Sequence, residues 1–352
     1  MPYHLVLCNL FVLFCIPAPL RAQYDDLLRN PDISWVAEYT SDFVMDPGME
    51  AEEFDLNSLF SIQFRNGASD HGLFGRTVDA PHYLSQQIML NIRRPATQVF
   101  EDSLVMLLLS QKNLDTKIVR VDTVIRCFEN TLNDSDWPYF IVTEEIPYTR
   151  IKTIRVRQVY WYDRKNRRFD SRLLSYAPVF RTFDDEGNEK GERVYFWLGA
   201  GAGLPKRLSN EDFNYVFQTF MWANAPGLED FKVKKGSLDI KQIVREEISD
   251  PSHLSLDAGE YQPIGKEEMG YHCFGADTLI NYTYETNQTE TVIVPWNRIE
   301  QIAKIRFVHN WYYDARRARL CSRLVGMAPM AKLVDQEGEF RYYTPLFYQM
   351  YR

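Results

Sequence analysis

Residues 154–198 read IRVRQVYWYDRKNRRFDSRLLSYAPVFRTFDDEGNEKGERVYFWL, and residues 305–349 read IRFVHNWYYDARRARLCSRLVGMAPMAKLVDQEGEFRYYTPLFYQ. Laid over each other at an offset of 151 without a gap, the two stretches agree at 14 of 45 positions, where composition alone gives roughly three. The chain carries one unit twice, and a unit used twice is a folding and binding module. The shared residues are structural types rather than the set of a reaction centre.

Within each copy the period is two. Ile154, Val156, Gln158, Tyr160 and Tyr162 fall on one face of a strand, with Arg155, Arg157, Val159 and Trp161 on the other; Ile305, Phe307, His309, Trp311 and Tyr313 make the same face in copy two. Asp163 and Asp314 close these strands, and charged turns follow. A return strand opens at Ser-Arg-Leu, with Arg172 or Arg323, and reaches Pro178 or Pro329. A proline cannot donate to a ladder, so an edge or bulge is expected there. Gly187 and Gly338 end acidic turns that need positive φ, and a third aromatic strand follows. Each copy thus reads as a three-stranded antiparallel meander whose exposed edges invite another strand.

The fold class that follows is α+β, with two related antiparallel β-meander modules, intervening helices and a mixed N-terminal region. Ser209 with Asp212 forms a capping box ahead of Phe213, Val216, Phe217, Phe220 and Met221 at helical spacing. Ser237 opens a second helical stretch, Ile240, Val244 and Ile248, which ends at Asp250-Pro251. Both helices are expected on the sheet of copy one. Upstream, the apolar run from Phe100 to Lys112 reads as a buried helix or a central strand, and its length favours the helix. The expected divisions are a signal peptide over 1–22, a mixed region over 23–115, a first module with its helix over 116–236, and a truncated second module over 237–352.

The leader is an apolar stretch from Leu5 to Ile16, followed by small and turn residues, with Ala22 before Gln23. Losing it removes Arg21 and takes the formal net charge from −8 to −9, which excludes a general nucleic-acid surface. Cys127, Cys273 and Cys321 remain, an odd number, read as small buried side chains with a Cys273–Cys321 bridge as the alternative. The RCFEN and HCFGA segments around Cys127 and Cys273 point to a duplication that extends upstream.

No catalytic residue, cofactor site or metal site is assigned. His71, His82, His253, His272 and His309 show no metal-ligand spacing and no motif partner. The run Gly199–Gly203 lacks the Gly-Lys-Ser/Thr of a phosphate loop, and Asp184, Asp185 and Glu186 read as a solvated turn. The basic turns stand out instead. Arg164, Lys165, Arg167 and Arg168 in copy one recur as Arg316, Arg317 and Arg319 in copy two, and are the candidate contacts for an acidic partner surface. Arg172 and Arg323 are read as structural, paired with Asp163 and Asp314.

The order W-Y-D, charged turn, S-R-L, A-P, D-x-E-G and Y-F-W, in Trp161–Asp163, Ser171–Leu173, Ala177-Pro178, Asp184–Gly187 and Tyr195–Trp197, followed by Glu211–Asn214, resembles the gliding-motility GldN (PorN) family of the type IX secretion system in Bacteroidetes. The resemblance covers residues 117–235 best. It implies a non-enzymatic periplasmic protein associated with the outer membrane. The implied assembly is a homo-oligomeric ring with an outer-membrane lipoprotein of the GldK/PorK type, touching inner-membrane motor proteins. The other reading from the residues is a glycan-binding or glycan-acting module that uses Trp137, Trp161, Trp296 and Trp311 as stacking platforms.

Overall fold

The computed structural model describes residues 24–44, 80–125, 139–184, 186–200, 215–225, 228–283, 288–314, 317–334 and 338–351. A short helix α1 (Asp25–Arg29) precedes strand β1 (Ile33–Val44). Then come α2 (Ala80–Ile92), β2 (Val99–Phe100), α3 (Gln111–Ile118), the hairpin β3 (Val119–Ile125) and β4 (Tyr139–Glu145), and the meander β5 (Ile151–Asp163), β6 (Arg168–Phe183), β7 (Glu189–Val194) and β8 (Trp197–Gly199). The second half repeats this order. It runs β9 (Tyr215–Asn224), β10 (Lys232–Lys235), α4 (Ile240–Ser249), β11 (Leu254–Leu256), α5 (Lys266–Cys273), the hairpin β12 (Phe274–Thr283) and β13 (Gln288–Asn297), then β14 (Ile302–Asp314), β15 (Arg319–Val334), β16 (Phe340–Pro345) and β17 (Tyr348–Met350). The duplication therefore reaches from β1 or β9 to the last strand of each meander, with α1 and β10 lacking a counterpart among the described residues.

Two main antiparallel sheets result, ordered β10-β1-β5-β6-β8-β2 with β7 also on β6, and β11-β17-β15-β14-β9 with β16 also on β15. The α+β class with two meander modules is what the structure shows. Local irregularities repeat as faithfully as the strands do. A bulge shifts the register between Arg157 and Gln158, and another between Val308 and His309. The bulged residues lend their carbonyls to the end of the third strand: Ala200 N donates to Leu174 O at 3.1 Å, and Tyr351 N to Val325 O at 2.8 Å. The third strand also breaks beside the proline. β7 ends and β8 begins around residues 195–196, and in copy two Leu346 N donates to Pro329 O at 2.9 Å across the matching break. With no N–H to give at Pro178 or Pro329, the ladder is interrupted where the sequence places the proline.

Several expectations are corrected. Residues 215–224 are strand β9, not a helix, and pair along β14 from Tyr215↔Tyr313 to Asn224↔Lys304. Their aromatic and β-branched content suits a strand, and the open edge of β14 outweighs the helical spacing. The meander edges expected to be free are partly covered from within: β1 pairs β5 as β9 pairs β14, and β2 and β11 cover β8 and β17, while β7 and β16 pair on one side only among the described residues. The run Phe100–Lys112 is neither a buried helix nor a central strand. Only Val99–Phe100 pair with β8, and Leu104, Met106, Leu107 and Leu108 follow in a loop, 46%, 57%, 59% and 65% exposed. α3 starts after Ser110, whose side chain caps Asn113 N at 3.2 Å. Cys273 ends α5 as Ile118 ends α3, both fully buried, so Ile118 rather than Cys127 is its counterpart. Cys127 lies outside the described residues. Cys273 and Cys321 are both free and buried, so no bridge joins them.

The strand faces are buried as the alternation predicts, but the burial is shared. Ile154 and Val156 at the start of β5 pack with α2 in one cluster, and Trp311 and Tyr313 from the end of β14 enter that same cluster. Tyr160 and Tyr162 from the end of β5 join Ile305 and Phe307 of β14 in the other, with Ile240, Ile243, Val244 and Ile248 of α4. α4 thus serves both sheets rather than that of copy one alone. Asp239 caps it, accepting from Gln242 N at 3.0 Å. Asn91 of α2 donates from Nδ2 to the Tyr313 hydroxyl at 2.7 Å, a further link across the copies.

Candidate functional site

The two strands exchange cores at one point, and polar side chains gather there. Gln158 and His309 occupy equivalent positions after the bulges, as Ser171 and Ser322 do on the neighbouring strands. Each reaches across to the other copy: Gln158 Nε2 donates to Ser322 Oγ at 3.0 Å, and His309 Nε2 lies 3.3 Å from Ser171 Oγ. The contacts are reciprocal, as a pseudo-twofold axis between the copies requires. Tyr160 joins them, donating to Gln158 Oε1 at 2.9 Å with His309 Nε2 3.1 Å from its hydroxyl. Burial holds the His309 pKa down from its ordinary 6.5 to about 3, so the imidazole is neutral. These groups are buried and engaged with one another, which makes them a polar seam joining two apolar cores.

Beside the seam a cleft of about 280 Å³ opens between β6 and β15. Its walls are equivalent segments, 169–173 and 320–324, joined by Trp161, Arg168 and Tyr351. Arg168 Nη2 lies 3.8 Å from Asp170, and Arg172 pairs with Asp26 at 3.2 Å while stacking over Trp161 at 5.8 Å. Burial raises the Asp170 carboxyl above its ordinary pKa, although Arg168, Arg323 and Arg172 pull it down. Arg323 is exposed and makes no ion pair among the described residues.

The charged turns are built alike. Asp163 accepts from Asn166 N at 3.0 Å and Asp314 from Arg317 N at 3.1 Å, and Arg167 and Ala318 both take left-handed φ of 48° and 52°. The two aspartates therefore serve the turns and not Arg172 or Arg323, which lie deeper in β6 and β15, opposite Val159 and Asn310. Arg164 and Lys165 are exposed, Arg167 pairs with Asp250 at 3.0 Å, Arg317 pairs with Asp314 at 3.2 Å, and Arg319 sits beside the Cys321 thiol. Arg316 lies outside the described residues, as do Asp185, His71 and Trp137. Gly187 and Gly338 hold φ of 86° and 84°. Asp184 caps its own turn, accepting from Asn188 N at 2.7 Å.

The aromatics offered as glycan platforms are partly withdrawn. Trp311 is 2% exposed, and Trp296 lies under the Arg298 guanidinium at 4.7 Å. The seam and the cleft follow from pairing two distant copies, which no local motif announces. The one sequence signal for them was the recurrence of Ser-Arg-Leu at the same offset.

Fold and site together define a tandem-repeat α+β protein whose two meander modules share their cores around a polar seam. The family model described as gliding motility associated protein GldN matches residues 71–199 and 229–352, and the chain belongs to that family. Each matched stretch runs from before the first long helix of a copy through its last strand, so each holds one copy of the unit without its leading strand, β1 or β9. The match thus extends into the second copy, beyond the residues on which the resemblance was clearest. No curated protein matches the chain. No described helix is long and apolar enough to cross a membrane.

Proposed function

We propose that the protein is a non-catalytic structural component of a type IX secretion or gliding-motility machine, working in the periplasm against the outer membrane. Membership of the gliding-motility family is the observation that carries this reading. The architecture supports it, since two modules that share cores make one stiff body, suited to holding neighbours in fixed relation. In this role the chain sits in a ring of its own copies on an outer-membrane lipoprotein of the GldK/PorK type, with inner-membrane motor proteins beneath. The basic turns supply orienting charge, Arg164 and Lys165 standing exposed at one of them. Pull-down of the mature chain from native membranes is expected to recover a lipoprotein, and the co-purified sample to elute as a large oligomer. Recovery of monomer alone at native expression overturns the assignment.

A further inference from the structure

We propose that the loop between β2 and α3 inserts its aliphatic side chains into the surface of a phospholipid bilayer. This goes beyond the assembly role and does not require it. Leu104, Met106, Leu107 and Leu108 stand exposed on this loop, the last three by more than half. The duplication supplies an internal comparison, because copy two builds the same loop between β11 and α5. Phe100 bridges Leu108 as Leu256 bridges Pro263, and Leu109 N donates to Val99 O at 2.8 Å as Ile264 N does to Ser255 O at 2.9 Å. Val105 and Tyr261 both take left-handed φ, of 59° and 58°. In that register Leu104 stands where copy two has Glu260, Leu108 where it has Pro263, and Met106 with Leu107 where it has Gln262 alone. The loop therefore forms with polar residues, and the aliphatic set of copy one serves something outside the chain.

Three features select a bilayer over a protein as the occupant. The first is area. Four part-exposed side chains on one short loop offer on the order of a few hundred Å², against roughly 800 Å² from each partner of a stable protein complex or dimer. The second is composition, since the set is aliphatic and lacks the Trp, Tyr or Arg anchors on which protein interfaces depend. The third is the state of the polar groups. The amides of Val105, Met106 and Leu107 are all engaged, at the Asp102 carbonyl and the two oxygens of its carboxylate, at 3.1, 3.5 and 2.9 Å. Glu101 N donates to Leu107 O at 2.8 Å, Ser103 O accepts from Ser175 Oγ at 2.7 Å, and the Glu101 carboxylate pairs with Lys117 at 2.9 Å. A segment bonded in this way can enter a medium that offers no hydrogen bonds, and a loop already pinned to β6 loses little freedom on doing so. The chain is acidic, with formal net charge −8, so burial of aliphatic carbon carries the contact rather than attraction to anionic headgroups.

The test is co-sedimentation of the mature chain, starting at Gln23 so that the apolar leader is absent, with neutral phosphatidylcholine vesicles at high salt. Binding is expected on the scale of a single acyl chain, about 10⁴ M⁻¹. The double variant Leu107→Ser/Leu108→Ser is expected to weaken it about tenfold or more. Both side chains are exposed, so circular dichroism and the thermal midpoint are expected to stay as they are. Gln262→Ser in the twin loop is expected to leave vesicle binding unchanged. A second copy as occupant would show instead as an oligomer that the double variant dissociates in the absence of lipid. A protein partner would show as lipoprotein capture lost in the double variant while the parent chain ignores vesicles. Either of those results, no binding to neutral vesicles, binding abolished by high salt, or equal binding of the double variant overturns the proposal. Lipoprotein capture by the parent chain reads the assembly role separately.

Discussion

His309 and Gln158 show how one position serves both copies with different side chains. The buried imidazole stays neutral because its pKa falls to about 3, whereas in the unfolded chain it takes a proton near 6.5. The unfolded state then binds more protons between those values, so stability is intact above about pH 6.5 and falls as pH drops towards 3. The loss at the acid end is on the order of 5 kcal/mol. His309→Gln places the copy-one residue in copy two, where its amide can reach Ser171 as Gln158 reaches Ser322. Urea midpoints are expected to change little at pH 7.5 and to lose much of their fall between pH 6.5 and 4; an unchanged acid slope counts against this account. Gly236 is the other sensitive residue. Its φ is +68° and an added methyl meets the Ser34 carbonyl oxygen, so Gly236→Ala is expected to cost at least about 2 kcal/mol in denaturant unfolding.

At the scale of elements, the sequence was most informative where residues act locally. Alternation placed β5 and β14 and their buried faces, Asp163 and Asp314 marked the turns, and Gly187 and Gly338 marked the next ones. α4 was legible from Ile240, Val244 and Ile248, with its cap two residues later than Ser237. β9 was not legible, because Phe213, Val216, Phe217 and Phe220 satisfy a helical period as well as a strand does, and only the unpaired edge of β14 decides between them. Thr219→Pro is expected to disturb the pairing of this strand with β14 and lower the unfolding free energy by about 1 kcal/mol or more if β9 holds the edge in solution, and to change little if it does not. Hydrogen exchange on β14 residues 304–313 is the sharper readout, since loss of β9 exposes their amides. The loop with Leu104, Met106, Leu107 and Leu108 was misread for a related reason. An apolar run signals burial only if a partner surface covers it, and here none does among the described residues.

For the whole molecule, the decisive feature is that neither copy closes its own core. Trp311 and Tyr313 complete the cluster built on α2 and β5, while Tyr160 and Tyr162 complete the one built on α4 and β14. Residues 24–200 and 215–351 expressed apart are therefore expected to lack cooperative thermal transitions, and to regain one when mixed at equal concentration. Two separate, sharp transitions overturn the shared-core description. Residue types alone settled the duplication, the meander, the turn chemistry and the family resemblance, since period, proline and glycine act through a few neighbouring dihedrals. Partners across the chain were settled by three-dimensional packing: β1 and β9 on the open edges, Gln158 opposite Ser322, His309 beside Ser171. An uncovered strand edge and an unfilled core accept whichever distant segment reaches them, and nothing within that segment names its destination.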